Sequence, residues 1–123
     1  MINPSYLVVC LCAEWCGTCR DYRSIFLSNA SQFSDMQFYW LDVEKECDWL
    51  EDIDVENFPL LFVYYKQKIL YYGAVLPHAS HLHRLLTLLL QNSDSGMIEA
   101  GANLKALHQL GQHLFKSLKL EVT

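Results

Sequence analysis

Tyr6-Leu-Val-Val-Cys-Leu-Cys-Ala13 is an unbroken run of eight apolar residues rich in β-formers, and Trp15-Cys-Gly-Thr-Cys19 follows it after a single glutamate. A run without alternation reads as a strand buried on both faces, which places it inside a layered fold. It is far too short for the ~18 to 20 apolar residues that span a bilayer. Behind the cysteines, Tyr22, Ile25, Phe26 and Ala30 recur at helical spacing, so a helix is expected to start near Gly17.

Further along, Met36 to Val43 reads as a second strand. Glu44 to Glu56 is acidic, with Cys47, Trp49, Leu50 and Ile53 as the apolar face of a short helix. Pro59 opens a third strand, Leu60 to Tyr65, and a short turn leads into a fourth, Ile69 to Tyr72, which makes these two an antiparallel hairpin. Leu82, Leu85, Leu86, Leu89 and Leu90 stripe a helix over Pro77 to Gln91. The order β-α-β-α-β-β-α gives one α/β domain over residues 1–91. Residues 92–123 hold a linker, Asn92 to Gly96, and an amphipathic helix read over Met97 to Leu120. That helix is expected to pack on the domain. Its 3-4 spacing leaves a homodimer seam as the other choice, weakened by Gly111 on the seam and by Leu110, Phe115 and Leu120 widening the apolar face.

A chain of 123 residues suits one domain, and 52% hydrophobic against 19% charged residues excludes disorder for most of it. The net charge of −5 and the lack of any Lys/Arg run argue against a nucleic-acid or membrane partner. No basic residue precedes Tyr6 and no small-x-small cleavage site follows the run, so a cytoplasmic protein is expected. Eight of the 14 acids lie between Asp42 and Glu56. They read first as a solvated face and second as a rim that selects basic partners. His78, His81 and His83 do not share one helix face and read as surface residues rather than ligands.

The five cysteines are an odd number, and Cys10, Cys12, Cys16 and Cys19 crowd together, which is a poor disulfide framework and a better reactive or metal-binding cluster. If Cys16 caps the helix, its free N–H groups and positive end favour the thiolate there, the attacking species. Arg20 and Arg23 add positive charge. Cys19, one turn in, is placed to attack a mixed disulfide on Cys16 and release the partner, and Gly17 leaves room for a substrate chain. Cys10 and Cys12 share the strand face behind this helix. They read first as small buried hydrophobes, second as sulfurs that exchange disulfides with Cys19, and third as part of a metal cluster whose C-x-C-x3-C-x2-C spacing is not the two-knuckle zinc pattern. Cys47 reads as a core residue of the acidic helix. A Phe58-Pro59 pair lies 40 residues beyond Cys19. A cis peptide there would bring the Phe58 backbone beside the sulfurs, ready to pair with a substrate strand.

Ala13-Glu-Trp-Cys-Gly-Thr-Cys-Arg20, Asp54-Val-Glu-Asn-Phe-Pro-Leu-Leu-Phe62 and Tyr72-Gly-Ala74 together resemble the thioredoxin family in content, order and spacing, over Tyr6 to about Gln91. The resemblance implies a thioredoxin-like fold, with a four-stranded mixed sheet and helices on both faces. It also implies Cys16 as nucleophile, Cys19 as resolving thiol, and Trp15, Phe58, Pro59 and Gly73 lining the substrate groove. Against the family pattern, the first β-α unit is missing, which leaves Met36 to Val43 as a sheet edge and an apolar face for the C-terminal helix to cover. Thr18 replaces the motif proline, a change expected to make the disulfide more oxidising. Cys10 stands in the place of the buried aspartate, Trp40 in that of a lysine and Cys12 in that of a tryptophan, so water or Glu14 would have to serve the inner thiol. Arg20 joins Cys10, Cys12 and Glu14 as an auxiliary candidate. The expected function is a thiol–disulfide oxidoreductase acting on protein disulfides, without a bound cofactor or metal, in the reducing direction and fed by a separate reductase. The competing reading is an interaction or redox-sensing module whose acidic face or C-terminal helix binds a partner without turnover.

Overall fold

The computed structural model describes residues 6–13, 15–45, 50, 59–65, 68–91, 97–98 and 103–117. Its elements run β1 (Tyr6–Cys12), α1 (Gly17–Ala30), β2 (Met36–Asp42), β3 (Leu60–Tyr65), β4 (Lys68–Ala74), α2 (Ala79–Gln91), β5 (Met97–Ile98) and α3 (Leu104–Ser117). Strand order across the sheet is β2-β1-β3-β4-β5. β1 pairs parallel with β2 and antiparallel with β3, from Tyr6 opposite Tyr65 to Leu11 opposite Leu60. The β3–β4 hairpin is antiparallel, with a register shift at Val63/Tyr64. This is the α/β thioredoxin-like fold expected from the chain, and among the described residues β2 and β5 are the edge strands of the sheet. Among the described residues, no helix is long and apolar enough to cross a membrane.

Two features differ from the expectation. The sheet has a fifth strand, because Met97 and Ile98 pair parallel with Tyr71 and Tyr72 of β4. The C-terminal helix therefore starts later than Met97. Asn103 begins it, its side-chain oxygen accepting the Ala106 N–H at 3.1 Å, which satisfies one of the free donors of the first turn. The short helix expected in Glu44 to Glu56 falls mainly outside the described residues. Its approach is a turn in which the Asp42 carboxylate accepts the Glu44 N–H at 2.9 Å.

Alternation along the buried strands sends side chains to two cores. Val8, Cys10, Cys12, Leu61 and Val63 face α1 and α2, meeting Cys19, Tyr22, Phe26, Leu82, Leu86 and Leu89. Leu7, Val9, Leu11, Leu60, Phe62 and Tyr64 face the other way, onto Leu107, Leu110, Leu114 and Phe115 of α3. α3 thus covers the second sheet face with an apolar stripe. Tyr64 is held there by Phe62, Phe115 and His108, with ring centroids 5.7 to 5.8 Å apart. Its hydroxyl lies 3.4 Å from Nδ1 of His108.

Gly111 lets α3 approach this closely, since a Cβ there would stand 2.8 Å from three atoms of the Tyr64 ring. Gly111→Ala gains about 1 kcal/mol of helix propensity. It also overpacks a ring that cannot step aside, at a cost of ~1–3 kcal/mol. The clash should win, lowering the thermal midpoint by several degrees; a raised midpoint would show that the helix shifts freely on the sheet.

Candidate redox site

The carboxyl end of β1 leads straight into the site. Ala13 accepts the Cys16 N–H at 3.1 Å, closing the turn that carries Trp15. Cys16 is the N-cap of α1, with extended backbone (φ −86°, ψ 117°), and its carbonyl accepts the Arg20 N–H. No side chain caps the helix from this position, so the sulfur is not engaged with the first-turn donors it sits beside. Cys16 is half-buried, Gly17 and Thr18 are exposed, and the Trp15 ring is 65% exposed. Cys19, one turn in, is buried at 1% exposure.

The third part of the site comes from the hairpin. Leu61 lies opposite Gly73, and the Pro59 carbonyl accepts the Val75 N–H at 3.1 Å. Because Leu11 lies opposite Leu60, Pro59 and Gly73 belong to the sheet end where β1 turns into α1. Pro59 and Gly73 are both buried. Glu14 and Phe58 lie outside the described residues, as does Cys47.

Spacing alone pairs Cys16 with Cys19. In the structure Cys19 is instead disulfide-bonded to Cys12, with Cα atoms 5.7 Å apart, while Cys16 and Cys10 are free. The physical reason is the packing of α1 on β1: Cys12 and Cys19 point into the same core from opposite sides, whereas Cys16 sits at the cap above it. Cys10, two residues back on the same face, has its sulfur 3.7 Å from that of Cys12. Burial holds the Cys10 thiol protonated far above the usual thiol range.

Helical spacing brings Tyr22 into the same interior. Its hydroxyl is fully buried without a hydrogen-bond partner. Burial first, and then Cys10 and Tyr71, push its ionisation up. Three residues after Cys19, Tyr22 occupies the same face of α1, and that spacing is the signal by which it could have been found. Beside the site opens a cleft of about 320 Å³ lined by Ala13, Cys19, Arg20, Arg23 and Trp40. The Arg23 guanidinium lies 5.7 Å from the Trp40 ring centroid, within cation–π range.

The Cys10 shift has a consequence for stability. Because its folded pKa is raised, the unfolded chain ionises first once pH passes the thiol's ordinary value of 9.0. Stability is fully present below that pH and falls above it, by up to about 1.4 kcal/mol per pH unit from this one group. Denaturant midpoints measured from pH 8 to 10 should fall in the native protein and fall less in Cys10→Ala; equal slopes would remove Cys10 as the cause.

Residues 2–84 match the thioredoxin family profile. Thioredoxin-2 of Saccharomyces cerevisiae is 36% identical over 58 residues, which is 47% of this chain and 56% of that protein, so the match spans about half the length of that relative. Thioredoxin domain-containing protein 8 of Mus musculus is 28% identical over 111 residues, 88% of this chain and 82% of that protein. The crystal structure of the germline-specific thioredoxin Deadhead from Drosophila melanogaster shares the fold with a TM-score of 0.62 at 23% identity, covering 69% of this chain and 81% of its own. Plasmodium falciparum thioredoxin gives a TM-score of 0.62 at 21% identity, covering 69% and 82%. With its Cys-Gly-Thr-Cys segment at the head of α1 and the family profile spanning most of its length, the chain belongs to the thioredoxin family.

Proposed function

We propose that the chain is a thiol–disulfide oxidoreductase that acts on protein disulfides in the reducing direction. The observation that carries this is the placement of the two sulfurs of the motif on α1: Cys16 half-buried at the cap, Cys19 sealed one turn inside. Cys16 as thiolate attacks one sulfur of a substrate disulfide, forming a mixed disulfide and expelling the other substrate thiolate. Cys19 then attacks the Cys16 sulfur, releasing the reduced substrate and leaving the Cys16–Cys19 disulfide. A separate reductase returns the two electrons. The exposed Trp15 and the backbone at Gly17 and Thr18 offer the surface against which a substrate strand lies, beside the sheet end that carries Pro59 and Gly73.

Turnover on a folded protein disulfide such as insulin, with dithiothreitol as the electron source, tests the activity. A redox titration tests its direction. A reversible couple near about −270 mV fits a reductase, while one near about −200 mV assigns an oxidising or isomerising role. A protein that oxidises reversibly but shows no turnover is a sensor or binding module instead.

A further inference from the structure

We propose that Cys12 is a third redox-active sulfur of this site, and that Cys19 exchanges its disulfide between Cys16 at the surface and Cys12 inside the sheet. The inference rests on the thiol–disulfide exchange proposed for Cys16 and Cys19, and gives the oxidised bond a second destination.

Three observations carry it. The Cys12–Cys19 bond is formed while Cys16 remains a free, half-buried thiol. The Cα separation of 5.7 Å lies well inside the ~4.4–6.8 Å that a disulfide bridges, so β1 and α1 stand at bonding distance as they are packed. Both sulfurs belong to residues only 1% exposed, so the interior bond is shielded from bulky reductants. The second observation is the Cys10 sulfur, 3.7 Å from that of Cys12. Held protonated by burial, Cys10 is a donor to Cys12 and not a rival nucleophile. The third is the Tyr22 hydroxyl, buried and unpartnered in the same core as Cys10 and Cys12. An orphan donor in an apolar core is costly. Tyr22 belongs to the same buried cluster as Cys10, Cys12 and Cys19, so its hydroxyl is a spare donor in the interior where the exchange takes place.

The step balances without an outside oxidant. Starting from the Cys16–Cys19 disulfide, the Cys12 sulfur attacks Sγ of Cys19, losing its proton to solvent only as the new bond forms. The Cys12–Cys19 bond forms and the Cys16–Cys19 bond breaks. Cys16 leaves as a thiolate, which either takes a proton from water or attacks the next disulfide. Cys12 is oxidised, Cys16 is reduced, and the two-electron state of the protein is unchanged. With the interior bond closed, Cys16 still forms mixed disulfides but has lost its resolving thiol. The same chain then works with one surface cysteine and holds its partner until an external thiol or reductase releases it.

The sequence offers a clean test, because cleavage after Glu14 and after Arg20 separates Met1–Glu14, with Cys10 and Cys12, from Trp15–Arg20, with Cys16 and Cys19. The full-length protein is oxidised with diamide, free thiols are blocked with iodoacetamide, and both cleavages are made at mildly acidic pH before mass spectrometry. The expected result is the two peptides joined by a disulfide, with Cys16 alkylated. The joined species should persist in Cys16→Ser and vanish in Cys12→Ala. Peptides unlinked at every oxidant concentration, with the bond only between Cys16 and Cys19, overturn the proposal; so does a joined species that survives Cys12→Ala. Turnover on insulin is scored separately. Turnover without joined peptides removes Cys12 but leaves the oxidoreductase, and joined peptides without turnover do the reverse.

Discussion

Cys16→Ser should abolish turnover on a protein disulfide, by at least about a thousandfold, since among the described residues Cys16 is the free thiol that is not fully buried. A serine hydroxyl at the cap of α1 keeps the shape and loses the thiolate. Stability should hold nearly unchanged, because the Cys16 side chain makes no capping bond that the substitution removes. Cys19→Ser should fail differently. It leaves the first attack intact and blocks resolution, so a mixed disulfide with substrate should accumulate on Cys16 and be visible as a mass adduct. If Cys16→Ser retains a tenth or more of the native rate, another cysteine is the nucleophile and the assignment of roles along α1 falls.

Phe26→Ala should produce the largest loss of stability among the core substitutions considered, about 3–5 kcal/mol. Phe26 is fully buried, and its ring stands 5.1 Å from Phe38, 5.8 Å from Trp40 and 6.5 Å from Tyr22 by centroids. It pins the middle of α1 to the edge strand β2 and to the interior beneath the cysteines. A domain of this size has ~5–15 kcal/mol in all, so the substitution consumes a large share. Urea denaturation of the reduced protein measures it. A loss below about 1 kcal/mol would mean that α1 is held by its ends and that the aromatic cluster contributes little.

Much of this arrangement is visible in the residues alone, and where it is not, the reason is local. α1 is legible because the motif marks its first turn and Tyr22, Ile25 and Phe26 mark its buried side. β1 and β3 are legible because runs without polar interruption leave few other folds. β5 carries no signal of its own: two residues become a strand only because β4 offers Tyr71 and Tyr72 as partners. The start of α3 is misread for the same reason, since Met97 continues the helical stripe on paper while pairing with a strand in space. The bond between Cys12 and Cys19 joins two elements. Strand alternation places Cys12 behind the helix, but the turn of α1 that faces it depends on how the whole helix beds onto Val8, Cys10 and Leu61. Spacing within one helix cannot carry that information.

The packing of α3 has a further consequence, for the order in which the protein can be made. The face formed by Leu7, Val9, Leu11, Phe62 and Tyr64 is covered by residues 104–117, which leave the ribosome after every strand of the β1–β4 sheet. At ~5–20 residues per second, that face waits for its cover for seconds once the hairpin has emerged. During that interval a nascent chain shows an apolar sheet surface and an unpaired β2 edge together, the combination most prone to association with other chains. Emergence of residues 104–117, and not closure of the sheet, is then the event that completes the core, and a stall before Leu104 would leave half of that core open.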